Sequence, residues 1–142
     1  MTPTLLGRWQ TRWFLTVIVG LPITLPFALG LLGTGTSWHF IYILGYMALF
    51  GIGWDVMYQY LQSFRWDHDW PGILQLLAGI WEGLVLGVIA MTIGLPGLPQ
   101  PFILSHFILH YSLVWLGIYS ASQTLMRVLF PHWRFQGGQL WK

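Results

Sequence analysis

The chain has 142 residues, of which 56% are hydrophobic and only 7% charged, and its mean hydropathy is +0.64. A water-soluble domain carries about 25% charged residues, so this composition lacks the polar surface needed to face water on every side. The net charge of +2 comes without a basic run and gives no nucleic-acid reading; the absence of cysteine excludes disulfides, thiolate ligands and thiol nucleophiles.

Four stretches are predicted to be helices able to span a bilayer, at about 13–32, 38–64, 71–94 and 102–130. Each reaches the roughly 20 residues that a span needs at 1.5 Å rise per residue. Backbone groups in hydrocarbon must be satisfied within their own segment, which favours helices over single strands. The expected fold class is an all-α integral membrane four-helix bundle, with residues 1–142 forming one transmembrane domain.

The first stretch follows Arg8 and Arg12 and contains Pro22 and Pro26, which are expected to bend it. Its basic start, apolar run and "ALG" at 28–30 also fit a cleaved signal peptide loosely; its length and its two prolines favour a retained span. After "GTGTS" (33–37) comes the second stretch. There Ala48, Gly51, Asp55, Gln59 and Gln62 recur at helical steps and define one small and polar face.

The connection "RWDHD" (65–69) holds three of the ten Lys, Arg, Asp and Glu residues. Trp66 and Trp70 bracket it as interfacial anchors would. Asp69 is placed to cap the third helix, with Pro71 in its first turn. Asp67, His68 and Asp69 have cation-binding chemistry, although adjacent side chains seldom converge on one ion.

On the third stretch Gln75, Gly79 and Glu82 share a face, beside a packing seam of Gly79, Gly83 and Gly87. "LPGLPQP" (95–101) leads to the fourth stretch, where His106, His110, Gly117, Ser120 and Thr124 align. Pro131 is expected to stop that helix. The tail beyond it mixes aromatic and basic residues and is expected to lie along headgroups or to dock on a partner.

Orientation follows from Lys and Arg. With four spans, Arg8, Arg12, Arg65, Arg127, Arg134 and Lys142 all fall on one side, so both termini are expected in the cytoplasm.

Asp55 and Glu82 are the ionisable residues within spans, and such residues are functional candidates by default. The bland alternative is a hydrogen-bonded acid that merely joins helices. Glu82 is expected near mid-span and within reach of His110. That makes His106, His110 and Glu82 a candidate metal set, since imidazoles four apart project to one side. His39 and His106, at similar depth, could hold a haem; His39, His106 and His110 are the candidate cofactor-binding residues, for a tetrapyrrole or a quinone. Too few histidines are present for a His-box oxygenase, and Glu-x-x-His pairs for a di-iron centre are missing. No nucleophile elbow, phosphate loop or dinucleotide fingerprint occurs.

Residues 54–83 contain Trp54–Asp55, Arg65–Trp66, Asp69–Trp70–Pro71 and Glu82–Gly83. This stretch resembles a family of small uncharacterised bacterial multipass membrane proteins. The resemblance implies a bacterial membrane protein and transfers no catalytic residue. The expected role is non-enzymatic, as a scaffold or accessory subunit in the lipid bilayer, self-associating or joined to a larger complex. The alternatives are a tetrapyrrole, quinone or metal module, and a proton- or ion-coupled transport unit using Asp55 and Glu82.

Overall fold

The computed structural model describes residues 2–31, 37–98 and 102–141, so residues 33–36 of the predicted break at 33–37, and residues 99–101, lie outside the described residues. Among those described there is no strand. Four long helices run α1 (Leu5–Ala28), α2 (His39–Ser63), α3 (Gly72–Thr92) and α4 (Leu104–Gln123). A short α5 (Leu125–Leu129) and a single 3-10 turn (Trp133–Gln136) follow.

Helix α1 begins well ahead of the predicted start at 13, because a local signal sets its N-terminus. Thr4 is the N-cap, and its hydroxyl accepts from the Gly7 N–H at 3.1 Å. Arg8 and Arg12 therefore stand on the helix rather than in a flanking segment. Within α1 the ladder widens to a π turn over Thr16–Gly20, where the Leu21 N–H reaches back to the Thr16 carbonyl. This wide turn immediately precedes Pro22, whose ring crowds the preceding turn and whose nitrogen donates nothing. Gly30, at φ 76°, closes the helix, and the Leu31 N–H bonds the Pro26 carbonyl at 2.9 Å.

Asp69 does not occupy the predicted capping position. Pro71 is the N-cap of α3, in an extended conformation and without a side-chain bond, so the helix starts after the proline rather than around it. The predicted fourth span is also shorter than 102–130. Its helix breaks at Thr124, at φ −122° and ψ −74°, before α5 resumes for five residues.

Neighbouring helices are antiparallel, as the paired contacts show. Phe27 meets Phe40 near one end of α1 and α2, and Arg12 meets Asp55 nearer the other. Gly79, Gly83 and Gly87 of α3 face Trp115, Tyr111 and Phe107 of α4 in reverse order. Thr24 of α1 meets His110 of α4, and Val19 and Ile23 meet Gly117. One core gathers Phe27, Phe40, Ile43, Leu86, Phe107 and Tyr111; a second, toward the chain ends, gathers Leu15, Ala121, Met126 and Trp133.

Helices α1, α2 and α3 are long and apolar enough to cross a membrane. Helix α4 has similar length, but its serines and histidines lower its hydropathy. Outward positions throughout are apolar: Ile18, Leu25, Leu49, Ile80, Leu84 and Leu116 are all exposed.

The tail folds back onto α1 rather than leaving the molecule. The Thr4 N–H donates to the Gly137 carbonyl at 2.8 Å, the Thr11 hydroxyl to Gly138 at 2.8 Å, and the Leu140 N–H to Gln10 at 2.8 Å. Trp133 is buried and donates its indole N–H to Thr11 at 2.9 Å. Gly7 permits this approach, since a Cβ there would overlap the Gly137 carbonyl.

Candidate functional site

The chemistry gathers on Arg12, a residue that its place ahead of an apolar run had marked only as an orientation signal. Its Nε and Nη2 donate to Asp55 Oδ2 and Oδ1, both at 2.8 Å. Its Nη1 and Nη2 donate to Glu82 Oε2 and Oε1 at 3.1 and 3.2 Å. One planar guanidinium thus makes a forked contact with each of two carboxylates, an arrangement that a lysine could not reproduce. The Asp55 side chain is 5% exposed and that of Glu82 10%. Three helices are joined at this point: α1 by Arg12, α2 by Asp55 and α3 by Glu82.

Gly51 makes the arrangement fit. It lies one turn before Asp55 on α2, and a Cβ there would run into the Arg12 guanidinium. The small and polar face of α2 therefore serves as the bed for an arginine from α1.

One turn toward the chain ends is a second polar layer. Arg8 Nη2 donates to Gln62 Oε1 at 2.6 Å, and the Arg8 guanidinium lies 4.6 Å from the centre of the Trp70 ring. The Gln62 amide donates to the Pro3 and His68 carbonyls, at 3.2 and 2.7 Å. Trp70 is thus drawn inward under Arg8, whereas Trp66 is 92% exposed. Within the same connection Arg65 Nη2 donates to Asp67 Oδ2 at 3.0 Å, and the Asp69 N–H donates to Asp67 Oδ1 at 3.1 Å. The Asp69 N–H, together with Arg65, holds the Asp67 carboxyl below its ordinary range. His68, at φ 50°, takes the left-handed conformation that turns the chain.

Between α3 and α4 the Gln75 amide donates to Ser122 Oγ at 2.9 Å, and Gln123 donates to Gln75 Oε1 at 3.0 Å. Ser122 is buried, while Ser120 and Thr124 of the predicted stripe are exposed. The inward face of α4 is Phe107, His110, Tyr111, Val114, Ala121 and Ser122. Large aromatic residues outweigh the small polar ones in fixing that face.

A cavity of about 120 Å³ lies against these groups, bordered by Arg8, Arg12, Asp55, Glu82, Gln75 and Trp115 among others. Two arginines and two acidic side chains line it. No family model, curated protein or solved structure matches the chain.

The histidines lie elsewhere. His110 is buried between Phe27 and Phe40, each with its ring centre 5.1 Å away, and Thr24 Oγ1 and His110 Nε2 share a hydrogen bond of 2.9 Å. Its Nδ1 has no partner among the described residues. His39 bonds Ser37 and packs its ring 4.2 Å from that of Phe40. His39 is near enough to both His106 and His110 to interact electrostatically.

The candidate metal set is not assembled. Glu82 turns to Arg12 instead of His110, and among the described residues no group of three His, Asp or Glu could hold a metal ion.

The seam of Gly79, Gly83 and Gly87 accommodates rings rather than a bare helix backbone. A Cβ on Gly79 would overlap the Trp115 indole, and one on Gly83 would lie 2.5 Å from Tyr111 Cε1. One on Gly87 would lie 3.1 Å from Phe107 Cε1. The Tyr111 hydroxyl donates to the Gly79 carbonyl at 2.5 Å.

Proposed function

We propose that this chain is a small polytopic membrane protein, an integral four-helix bundle acting as a non-enzymatic scaffold or accessory subunit of a membrane complex. The observation that carries the reading is the Arg12 cluster. Both intramembrane acids are engaged by one arginine, and the bonds tie helices together. A proton or cation carrier needs a carboxylate that can release its partner and meet its cargo; here release would leave an arginine unpaired in low dielectric. The cluster therefore supports an architectural role better than a transporting one.

The apolar outward faces of all four helices support insertion in lipid. Helix α4 is grouped with the other three because His110 and Ser122 turn inward, to Thr24 and Gln75, while only the small polar Ser105 and Ser120 interrupt its exposed apolar face. Its exposed face carries Leu104, Ile108, Leu109, Leu113 and Leu116. Arg8, Arg65, Arg127 and Arg134 cluster near one end, while 29–38 and 93–103 contain no Lys or Arg. That asymmetry favours a membrane orientation with both termini cytoplasmic; a bacterial cell membrane is proposed from the resemblance of residues 54–83 alone.

Extraction of the native protein in a mild detergent, followed by mass determination of the intact particle, tests the role. A homo-oligomer or a stoichiometric companion protein is the expected result. A lone monomer would overturn it.

A further inference from the structure

The segment after α5 runs along the surface but sends one ring inward. His132, Arg134 and Phe135 are exposed, whereas Trp133 among them is buried against Leu15, Ala121 and Met126. Trp133 also borders the charged cavity, together with Pro3, Gly7 and Thr11 from the other end of the chain. The chain thus leaves the interior one residue to either side of a ring that forms part of the cavity wall.

Residues 137–141 then cross the same end of α1. They turn sharply at Gly137 and Gly138, at φ 62° and 83°, and bond to Thr4, Gln10 and Thr11. The whole segment joins α4 only through the break at Thr124 and the five-residue α5. It is therefore not a rigid extension of the bundle.

From this juxtaposition we infer that residues 131–141 form a strap over the charged cavity, with Trp133 as its plug, and that lifting the strap opens the cavity at the end of the bundle where Thr4 and Trp141 lie. Three features make this a movable closure rather than a fixed wall. Of residues 131–141, Trp133 alone has a buried side chain, and bonds such as those between Gln10 and Trp141 lie at the exposed surface, where water can replace them. Thr11 holds plug and strap together, since its hydroxyl donates to the Gly138 carbonyl at 2.8 Å and accepts from the Trp133 indole at 2.9 Å; loss of one bond loosens the other.

The third feature is an alternative place for the plug. An indole is well accommodated at the headgroup layer, where its ring and its N–H are both satisfied, and Phe135 and Trp141 of the same segment already face outward. The strap therefore has two states of similar chemistry, and the closed one is observed. Opening brings water to Arg12, Asp55 and Glu82 and weakens their ion pairs by raising the local dielectric. The inference stands apart from the scaffold reading, because none of it depends on a partner or on the mass of the native particle.

The test uses the full chain, which has no native cysteine, in phosphatidylcholine nanodiscs. Ser122→Cys places a near-isosteric thiol on the cavity wall at a 2% exposed position. The probe is sulfonatoethyl methanethiosulfonate, whose charge keeps it out of hydrocarbon. Two changes loosen the strap without altering the Arg12 cluster: Gly7→Ala drives a Cβ into the Gly137 carbonyl, and Gln10→Ala removes the bonds to Leu140 and Trp141. When the strap recloses faster than the thiol reacts, labelling follows the open population. The rate should rise about tenfold or more with Gly7→Ala and about threefold to tenfold with Gln10→Ala. Ala90→Cys, at a 1% exposed position toward the other end of α3, should stay slow in both backgrounds. An unchanged rate at Ser122→Cys in the Gln10→Ala background would overturn the inference even if Gly7→Ala fails to fold. An equal rise at Ala90→Cys would overturn it too, since that reports a loosened bundle.

Discussion

A guanidinium that reaches two carboxylates on two other helices needs open space beside its own, and Gly51 supplies it. The neighbouring Gly53 offers a control, because nothing lies within 4 Å of a Cβ added there. Gly51→Ala should displace Arg12 and lower stability by about 1–3 kcal/mol, as overpacking does. Gly53→Ala should be neutral or slightly stabilising, since alanine is the better helix former. Thermal midpoints of the two variants in one detergent measure the difference. Equal midpoints would mean that Arg12 does not rest on Gly51. Asp55 and Gly51 were legible in the sequence as one face of α2. Their partner was not, because an arginine before an apolar run carries the same signature whether it flanks a span or enters one. The Thr4 cap was the available signal: it starts the helix early enough to carry Arg8 and Arg12 inward.

Between α3 and α4 the unit of packing is a glycine set against a ring. The three glycines grade in tightness, from Gly79 against Trp115 through Gly83 against Tyr111 to Gly87 against Phe107. Alanine substitutions should follow that order, with Gly79→Ala costing most, about 2–3 kcal/mol, and Gly87→Ala least, below about 1 kcal/mol. Unfolding free energies measured in bicelles check the ranking, and a flat or reversed series would contradict the packing. The glycine spacing was visible in the sequence, as were the positions of the apolar runs; the expected stop at Pro131 was not where α4 ends, since the helix breaks at Thr124 and only the short α5 runs up to the proline. The rings that fill the seam were not anticipated, because Trp and Tyr in such a chain are explained equally well by the membrane interface. The fourth helix misled for a related reason: small polar residues suggested its inner face, but burial of Phe107, Tyr111 and Val114 sets its rotation and turns Ser120 and Thr124 outward.

At the scale of the whole molecule two properties can be measured separately, placement across a membrane and cohesion of the bundle. Placement is accessible because the chain has no cysteine, so single introduced thiols report without background. Trp66→Cys and Phe135→Cys, at positions 92% and 85% exposed, should label together from one side of sealed cells or inverted vesicles. Leu31→Cys, at a 73% exposed position near the other end, should label from the opposite side. Labelling of all three from one side would remove the proposed topology.

Cohesion rests on Arg12. It can be separated from a general intolerance of substitution by comparing wild type, Arg12→Met and the triple variant Arg12→Met, Asp55→Asn, Glu82→Gln. The single variant leaves two buried acids without their cation and should lose about 3–5 kcal/mol of unfolding free energy in lipid bicelles. The triple variant leaves no unpaired charge and should recover most of that loss. An Arg12→Met protein as stable as wild type would contradict the account at its centre.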